Sequence, residues 1–492
     1  MDASTVFQPA EGRTSESRSA PRSDGGGSIR RSRSGLCLPL LLLLVVGLVA
    51  CHKQRKFSRV EESQVRPPVE WLRNEAVRDL VDYVRIDTSV SHGEEEGARF
   101  LKDLLGCAGI ESEIVCPAPR RCNLLARLPG RRREGALLLV NHIDVAPITA
   151  LWKEARPFEG RIKLGYLYGR GSYDMKSTGL AQALALRSLK QHGVTPASDI
   201  LFLAEADEET DQKWGSQWLL ENRPEWFAGV ANVLNEGGTS EMILRRVRFL
   251  GLETVEAGYA YAELESARAE TLTQLASRWP SLRSQTVEPH PDVREAFGVI
   301  ANELPVPLTD YLRHLDRVSS NPKELAALPD KFGAFLQPRV QWLGPYRDPL
   351  GLNPRYRSYL VVSVPPGLSP GPYFRPIVED ASGSGIRVIR EMVSSPTTAS
   401  PYPTPFTRLV QEVLEAHYPG VPFAPMPTYG GFTTSVFFRD KGIPTYGFMP
   451  VAANITDTSR RHGSEERIFL MDYLAGVEIY RDLLEAFAFS DE

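Results

Sequence analysis

Cysteine is scarce, with five in 492 residues, and no pair has the spacing or neighbours of a zinc-thiolate site. A basic stripe is missing from the body of the chain, which leaves nucleic acid without an electrostatic footprint and argues against it as a partner. The net charge of −4 and the pI near 6.2 point to no other class of partner. Long apolar runs are missing too, with one exception. Leu36 to Ala50 is nearly continuous but only fifteen residues long, short of the ~17–25 that a bilayer span needs.

What is present supports about two or three domains with real cores: 42% of residues are hydrophobic and 24% charged. Residues 1–35 hold six arginines, four acids and almost no apolar residues, the composition of a disordered leader. Residues 36–51 then read as a signal or membrane-anchor segment, with Arg30, Arg31 and Arg33 on its cytoplasmic side. Its ending, Leu48-Val49-Ala50-Cys51, resembles a bacterial lipoprotein processing site; a single-pass anchor is the runner-up, and a buried core helix the plainest alternative. Either leading reading predicts a membrane-anchored, extracytoplasmic body, periplasmic or at the cell surface, after a linker at 52–66. Cys116 and Cys122 flank a turn-like Pro-Ala-Pro-Arg-Arg and could close a small disulfide loop. Cys107 ends an apolar helical pattern and is expected to be a buried thiol.

The body alternates. Helical patterns run over Val69–Asp87 and Glu94–Leu105, candidate strands over Asn123–Leu128 and Ala136–Val140, and a short strand or hairpin over Arg161–Tyr168. Helix Thr178–Lys190, strand Ile200–Ala204, helix Trp214–Glu221 and strand Val230–Leu234 follow. Polar residues gather just past the strands, which predicts an α/β domain with its site at the carboxyl edge of a sheet. From about 241 to 399 the pattern changes to possible strands, amphipathic pieces and many prolines, read as an inserted α+β lid. The α/β character returns in helix Pro405–His417, strand Thr445–Met449 and helix Asp472–Ala488. The catalytic domain is thus expected at 67–240 and 400–492, with the lid at 241–399.

The chemistry-bearing residues lie at those strand ends. His142 and Asp144 follow Ala136–Val140, Asp174 follows the turn Gly169-Arg170-Gly171, Glu208 and Glu209 follow Ile200–Ala204, Glu236 follows Val230–Leu234, and His462 lies near the C-terminus. Taken singly, each has an ordinary explanation: a solvated acidic loop at 207–209, a surface histidine at 462. Taken together, two histidines with three or more carboxylates suit a pair of cations, Zn²⁺ first, with Co²⁺ or Mn²⁺ as alternatives. Converging acids without a cation would repel one another.

Several motifs carry a resemblance: Asn141-His142-Ile143-Asp144-Val145-Ala146-Pro147, Trp152, Pro157-Phe158, and Tyr168-Gly169-Arg170-Gly171-Ser172-Tyr173-Asp174-Met175-Lys176. Asp207-Glu208-Glu209, Asn235-Glu236-Gly237-Gly238 and Arg461-His462-Gly463 continue it. The chain resembles the M20 metallopeptidases over residues 67–240 and 400–492, and within them the carboxypeptidase S and N-fatty-acyl-amino-acid hydrolase branch. The resemblance implies a zinc-peptidase-like domain, its central mixed sheet flanked by helices, with an inserted lid through which homodimers could form. It implies that His142, Asp174 and Glu236 hold one metal while Asp174, Glu209 and His462 hold the other. By the same resemblance Asp144 orients His142, and Glu208 is the general base in hydrolysis of a small peptide or N-acyl amino acid.

The sequence departs from that family at three places. The lid region Leu264-Glu265-Ser266-Ala267-Arg268-Ala269-Glu270 lacks the histidine that steadies the oxyanion, and Val361-Val362-Ser363-Val364-Pro365-Pro366-Gly367 lacks the Asn-x-Arg that meets a substrate carboxylate. Gly431-Phe432-Thr433-Thr434 stands where the family has Gly-x-Thr-Asp. Arg355, Arg357 and His314 are the residues offered as replacements. Three function classes follow: a two-metal amidohydrolase, a metal-retaining relative with altered or no activity, and a scaffold that keeps only the fold.

Overall fold

The computed structural model describes residues 66–490 apart from 149–150, 239–240, 244–245, 281–286, 348–354, 429–432 and 451–452. Its centre is a six-stranded mixed sheet ordered Ser112–Ala118, Arg121–Leu128, Ser198–Glu205, Arg132–His142, Val230–Asn235 and Thr445–Gly447. The first two strands run antiparallel and the last four are mutually parallel. Four carboxyl ends therefore share one edge.

The apolar run in the central strand explains its place. Leu137 and Leu139 face one layer, with helices Glu75–Arg85, Glu95–Gly106, Lys176–Gln191 and Leu470–Phe489; Ala136, Leu138 and Val140 face the other, with Leu219, Leu220, Trp226 and Phe438. A strand covered on both faces has no use for alternation, so the sequence reads as continuous apolar. Each such fully buried aliphatic side chain contributes about 1.5–3 kcal/mol.

The chain leaves this sheet after Val230–Asn235 and returns to it at Thr445–Gly447. Between them a second, wholly antiparallel sheet runs Arg339–Arg347, Tyr356–Val364, Gly258–Ser266, Arg387–Val393. Helices Ala269–Arg278 and Gly371–Gly383 cover one of its faces through Leu272, Leu275, Phe374 and Ile377. The fold is thus a mixed α/β catalytic domain with an inserted lid-like region. A third small sheet joins Arg246–Leu252 and Glu241–Ile243 to Phe423–Pro425 and Ala453–Asn454, stitching the insertion to the body.

Some expectations change. The long helix expected over Val69–Asp87 is broken: Pro68–Trp71 forms one turn, and Asn74 then caps a new helix, Glu75–Arg85, by accepting the Val77 N–H at 3.3 Å. Cys107 is exposed, because it caps the end of Glu95–Gly106 while Ala98, Leu101 and Leu105 take the buried face. Cys116 and Cys122 are joined as a disulfide across adjacent strands.

The expectation of a membrane partner is corrected as well. Among the described residues no helix is long and apolar enough to cross a membrane. The longest, Leu470–Phe489, carries Asp472, Glu478, Arg481, Asp482 and Glu485. Residues 36–51, on which the signal, lipoprotein and extracytoplasmic expectations rested, lie outside the described residues, as do the leader at 1–35 and nearly all of the linker at 52–66. Membrane attachment and the placement built on it are therefore withdrawn.

Candidate metal centre

The carboxyl edge of the parallel strands gathers every predicted site residue. His142 ends the central strand, Glu236 follows Val230–Asn235, and Glu208 and Glu209 follow Ser198–Glu205. Asp174 lies two residues before the helix that starts at Lys176, beyond a turn in which Gly171 takes a φ of +80°. A Cβ on Gly171 would stand 2.6 Å from Val145 Cγ1, so the turn closes only on glycine. His462 arrives from the far end of the chain with a left-handed φ of 60°, a conformation that non-glycine residues hold only when their surroundings impose it.

Three groups have ligand atoms within 4.8 Å of one another: His142, Asp174 and Glu236; Asp174, Glu209 and His462; and His142, Glu208 and Glu209. Asp174 connects the first two. Its Oδ1 lies 3.4 Å from His142 Nε2 and its Oδ2 2.9 Å from His462 Nε2. Glu236 Oε2 is 3.8 Å from His142 Nε2, and Glu209 Oε1 is 3.1 Å from His462 Nε2. Asp144 belongs to none of these groups. Its carboxylate accepts the backbone N–H groups of Glu208 at 3.0 Å and Glu209 at 2.9 Å, while its carbonyl oxygen lies 2.9 Å from His142 Nδ1. A carbonyl can only accept, so Nδ1 carries a hydrogen and Nε2 is left to face the acids.

The electrostatics ask for a cation. Burial opposes ionisation of Asp174, yet hydrogen bonds from His142 and His462 hold it well below the usual carboxylate range. Burial, then the neighbouring Glu236, pushes Glu208 well above it; burial pushes Glu236 up to about 7. His462 is lifted to about 9, because Glu209 and Asp174 outweigh the burial that would lower it. Glu209 Oε1 is buried, 3.1 Å from His462 Nε2. Imidazoles forced to keep protons and carboxylates forced to take them up are what divalent ions relieve, so the donor set fits a dinuclear metal site. Nitrogen and oxygen donors without thiolate suit Zn²⁺, Co²⁺ or Mn²⁺ alike.

Other residues hold the site, and sequence reasoning passed over them. Glu466 accepts the N–H groups of Tyr173 and Asp174 on one oxygen and that of Gly171 on the other, which also pairs with Arg170 at 2.7 Å. Arg170 in turn donates to the carbonyls of His462 and Gly463. This fully buried pair ties the Asp174 turn to the His462 loop. The one sequence signal for it is that Glu466 lies four residues after His462. Gln212 donates to Glu208 Oε1 at 2.9 Å.

The residues offered as lid replacements are engaged elsewhere. Arg355 pairs with Glu265 and Arg357 with Glu263, both on the lid sheet, and His314 is exposed beside Asp310. Gly431 and Phe432 lie outside the described residues. Thr433 donates to Glu256, and Thr434 donates to Glu205 and accepts from Asn235, so their hydroxyls brace the sheet edge.

Comparison with known proteins agrees with this geometry. The model of peptidase family M20/M25/M40 matches residues 138–486. A probable succinyl-diaminopimelate desuccinylase of Staphylococcus epidermidis is 38% identical over 147 residues, 29% of this chain and 35% of that protein. The succinyl-diaminopimelate desuccinylase of Wolinella succinogenes is 41% identical over 87 residues, 18% and 22% of the two chains. The aligned parts thus span about a third or less of the curated relatives' length. Among solved structures, the M20 family metallo-carboxypeptidase Sso-CP2 of Sulfolobus solfataricus superposes with a TM-score of 0.65 at 17% identity, over 85% of this chain and 100% of that one. Human carnosine dipeptidase 1 gives 0.65 at 14%, over 87% and 99%. The expected carboxypeptidase S branch is corrected by these curated relatives, which are named as desuccinylases; the motifs quoted for that branch surround the candidate metal ligands and do not mark a branch. With the family model covering most of the chain, and seven chemistry-bearing residues on one sheet edge, this protein belongs to peptidase family M20/M25/M40.

Proposed function

We propose that this metal-dependent peptidase or amidohydrolase cleaves the amide bond of an N-acyl amino acid or small peptide. One observation carries the reading: Asp174 presents one oxygen toward each histidine, the arrangement a bridging carboxylate needs. His142, Asp174 and Glu236 would hold one ion, and Asp174, Glu209 and His462 the other. Bound there, the ions would polarise the amide carbonyl and acidify a shared water. Asp144 positions His142 through its carbonyl and holds the 208–209 backbone through its carboxylate. Glu208 takes the proton from the attacking water and returns it to the departing amine nitrogen, leaving a carboxylic acid and an amine. Its burial beside Glu236 raises its affinity for that proton, and Gln212 fixes its rotamer.

The matched desuccinylases, named for a succinylated substrate, support an N-acyl group on the leaving amine. We propose the catalytic body at 67–240 and 400–492 and the lid at 241–399. A divergent relative with weak or altered hydrolysis is the second reading, favoured by the engagement of Arg355 and Arg357 within the lid.

The test pairs metal analysis with turnover on a panel of N-acyl amino acids and dipeptides. Glu208→Gln is expected to fold, keep both metals and lose about 10²–10⁴ in kcat. Unchanged turnover with full metal refutes the base assignment, and loss of metal would make Glu208 a ligand.

A further inference from the structure

The loop that carries Glu208 and Glu209 is held from two sides. It begins at Asp207 and ends at Gln212, both with left-handed backbone, φ 65° and 52°. Such a conformation costs free energy and persists only when neighbours enforce it. Within the loop, the Asp207 carboxylate accepts from Asp211 N, Lys213 N and the Thr210 hydroxyl. From the catalytic body, Asp144 accepts from Glu208 N and Glu209 N. Asn123 accepts from Ala206 N and donates to the Trp214 carbonyl, each at 2.9 Å.

The other side is the lid. Arg390, on the lid strand Arg387–Val393, donates to the Thr210 carbonyl and pairs with Asp211 at 3.0 Å. Its guanidinium stacks 5.0 Å from the ring centroid of Tyr261, on the neighbouring strand Gly258–Ser266. A residue of the insertion thereby grips the loop two and three residues past Glu208. The planar fork suits this work: one guanidinium meets a carbonyl, a carboxylate and an aromatic face together.

We infer that Arg390 is a positioning residue that latches the lid sheet to the 207–212 loop and sets the aim of Glu208, an inference that rests on the base role proposed above. The ion pair alone is too exposed to matter much to stability, with side chains 34% and 62% accessible. Its effect is on placement, since an error of about 1 Å at a reacting group costs up to about 10²-fold in rate.

The metal-loaded wild type, Arg390→Ala, Arg390→Lys and Asp211→Asn are compared by kcat, KM, metal content and amide hydrogen exchange. Arg390→Ala is expected to keep both metals, lose about 10- to 10²-fold in kcat with KM little changed, and exchange faster at residues 208–213 but not in the central sheet. Arg390→Lys should recover part of both, and Asp211→Asn should show a smaller version, since the Thr210 contact survives. A kcat loss with unchanged exchange overturns the latch, as does faster exchange with unchanged kcat. If the wild type hydrolyses none of the panel, the proposed function fails instead; the latch then stands or falls on exchange alone.

Discussion

The two large sheets treat buried acids in opposite ways. On the lid, Glu265 is met by Arg355 at 3.1 Å and Arg387 at 2.7 Å, and Glu263 by Arg357. Each acid finds a guanidinium within its own sheet. At the carboxyl edge of the six-stranded sheet, Asp174, Glu208, Glu209 and Glu236 converge on two histidines, with one guanidinium, Arg461, 3.7 Å from Asp174. Charge balanced by the protein's own side chains serves structure. Acids left in a buried place without a guanidinium must take up protons or meet a cation from outside, and that difference separates a candidate metal site from a network of ion pairs.

The largest effect should come from breaking the connection inside the site. Asp174→Ala removes the only carboxylate shared by the two proposed metal positions, so bound metal should fall from two ions per chain to none, with turnover below detection. Glu209→Ala should spare the ion at His142 and Glu236. Elemental analysis separates them, and equal metal loss in both variants would refute the bridge.

A stability test sharpens the same contrast. Glu466→Ala strands Arg170 where both side chains are 1% exposed, and breaking a buried pair costs about 3–5 kcal/mol. Glu265→Ala on the lid leaves Arg355 and Arg387 still more than half exposed, so about 1 kcal/mol or less is expected. Chemical denaturation measures both; similar losses would erase the distinction.

The last expected effect is a slope. Burial, outweighing Arg439, pushes Glu253 up to about 8 from an ordinary 4.5. A carboxyl whose folded pKa is raised binds its proton more tightly in the folded state. Its contribution is therefore complete below pH 4.5 and is lost as pH rises toward and through 8. Glu253→Gln should flatten the fall in melting temperature between pH 5 and 9. A wild-type slope retained in the variant would place the titration elsewhere.

Much of the candidate site was legible because buried parallel strands are written as unbroken apolar runs, and the polar residues after them can only be at the sheet edge. Ala136–Val140 and Ile200–Ala204 are such runs, and His142 and Glu208 follow directly. Less legible was anything decided by a partner far along the chain. Glu466 looks like one of many surface acids until Arg170 is placed against it, and Arg390 has no mark in the sequence of its 180-residue reach to Thr210. Cys107 looked buried because a helix pattern tells which positions are apolar, and a capping position falls off that pattern.

By itself, the sequence determined the α/β alternation, the inserted lid-like region and which acids and histidines stand past which strands, since periodicity and strand length are local properties. Only the tertiary structure decided that Asp174 faces both histidines, that Asp144 reaches His142 through its carbonyl, and that the arginines offered for the site are held within the lid. Those are distances between residues tens to hundreds of positions apart, set by how the layers pack, and no local pattern contains them.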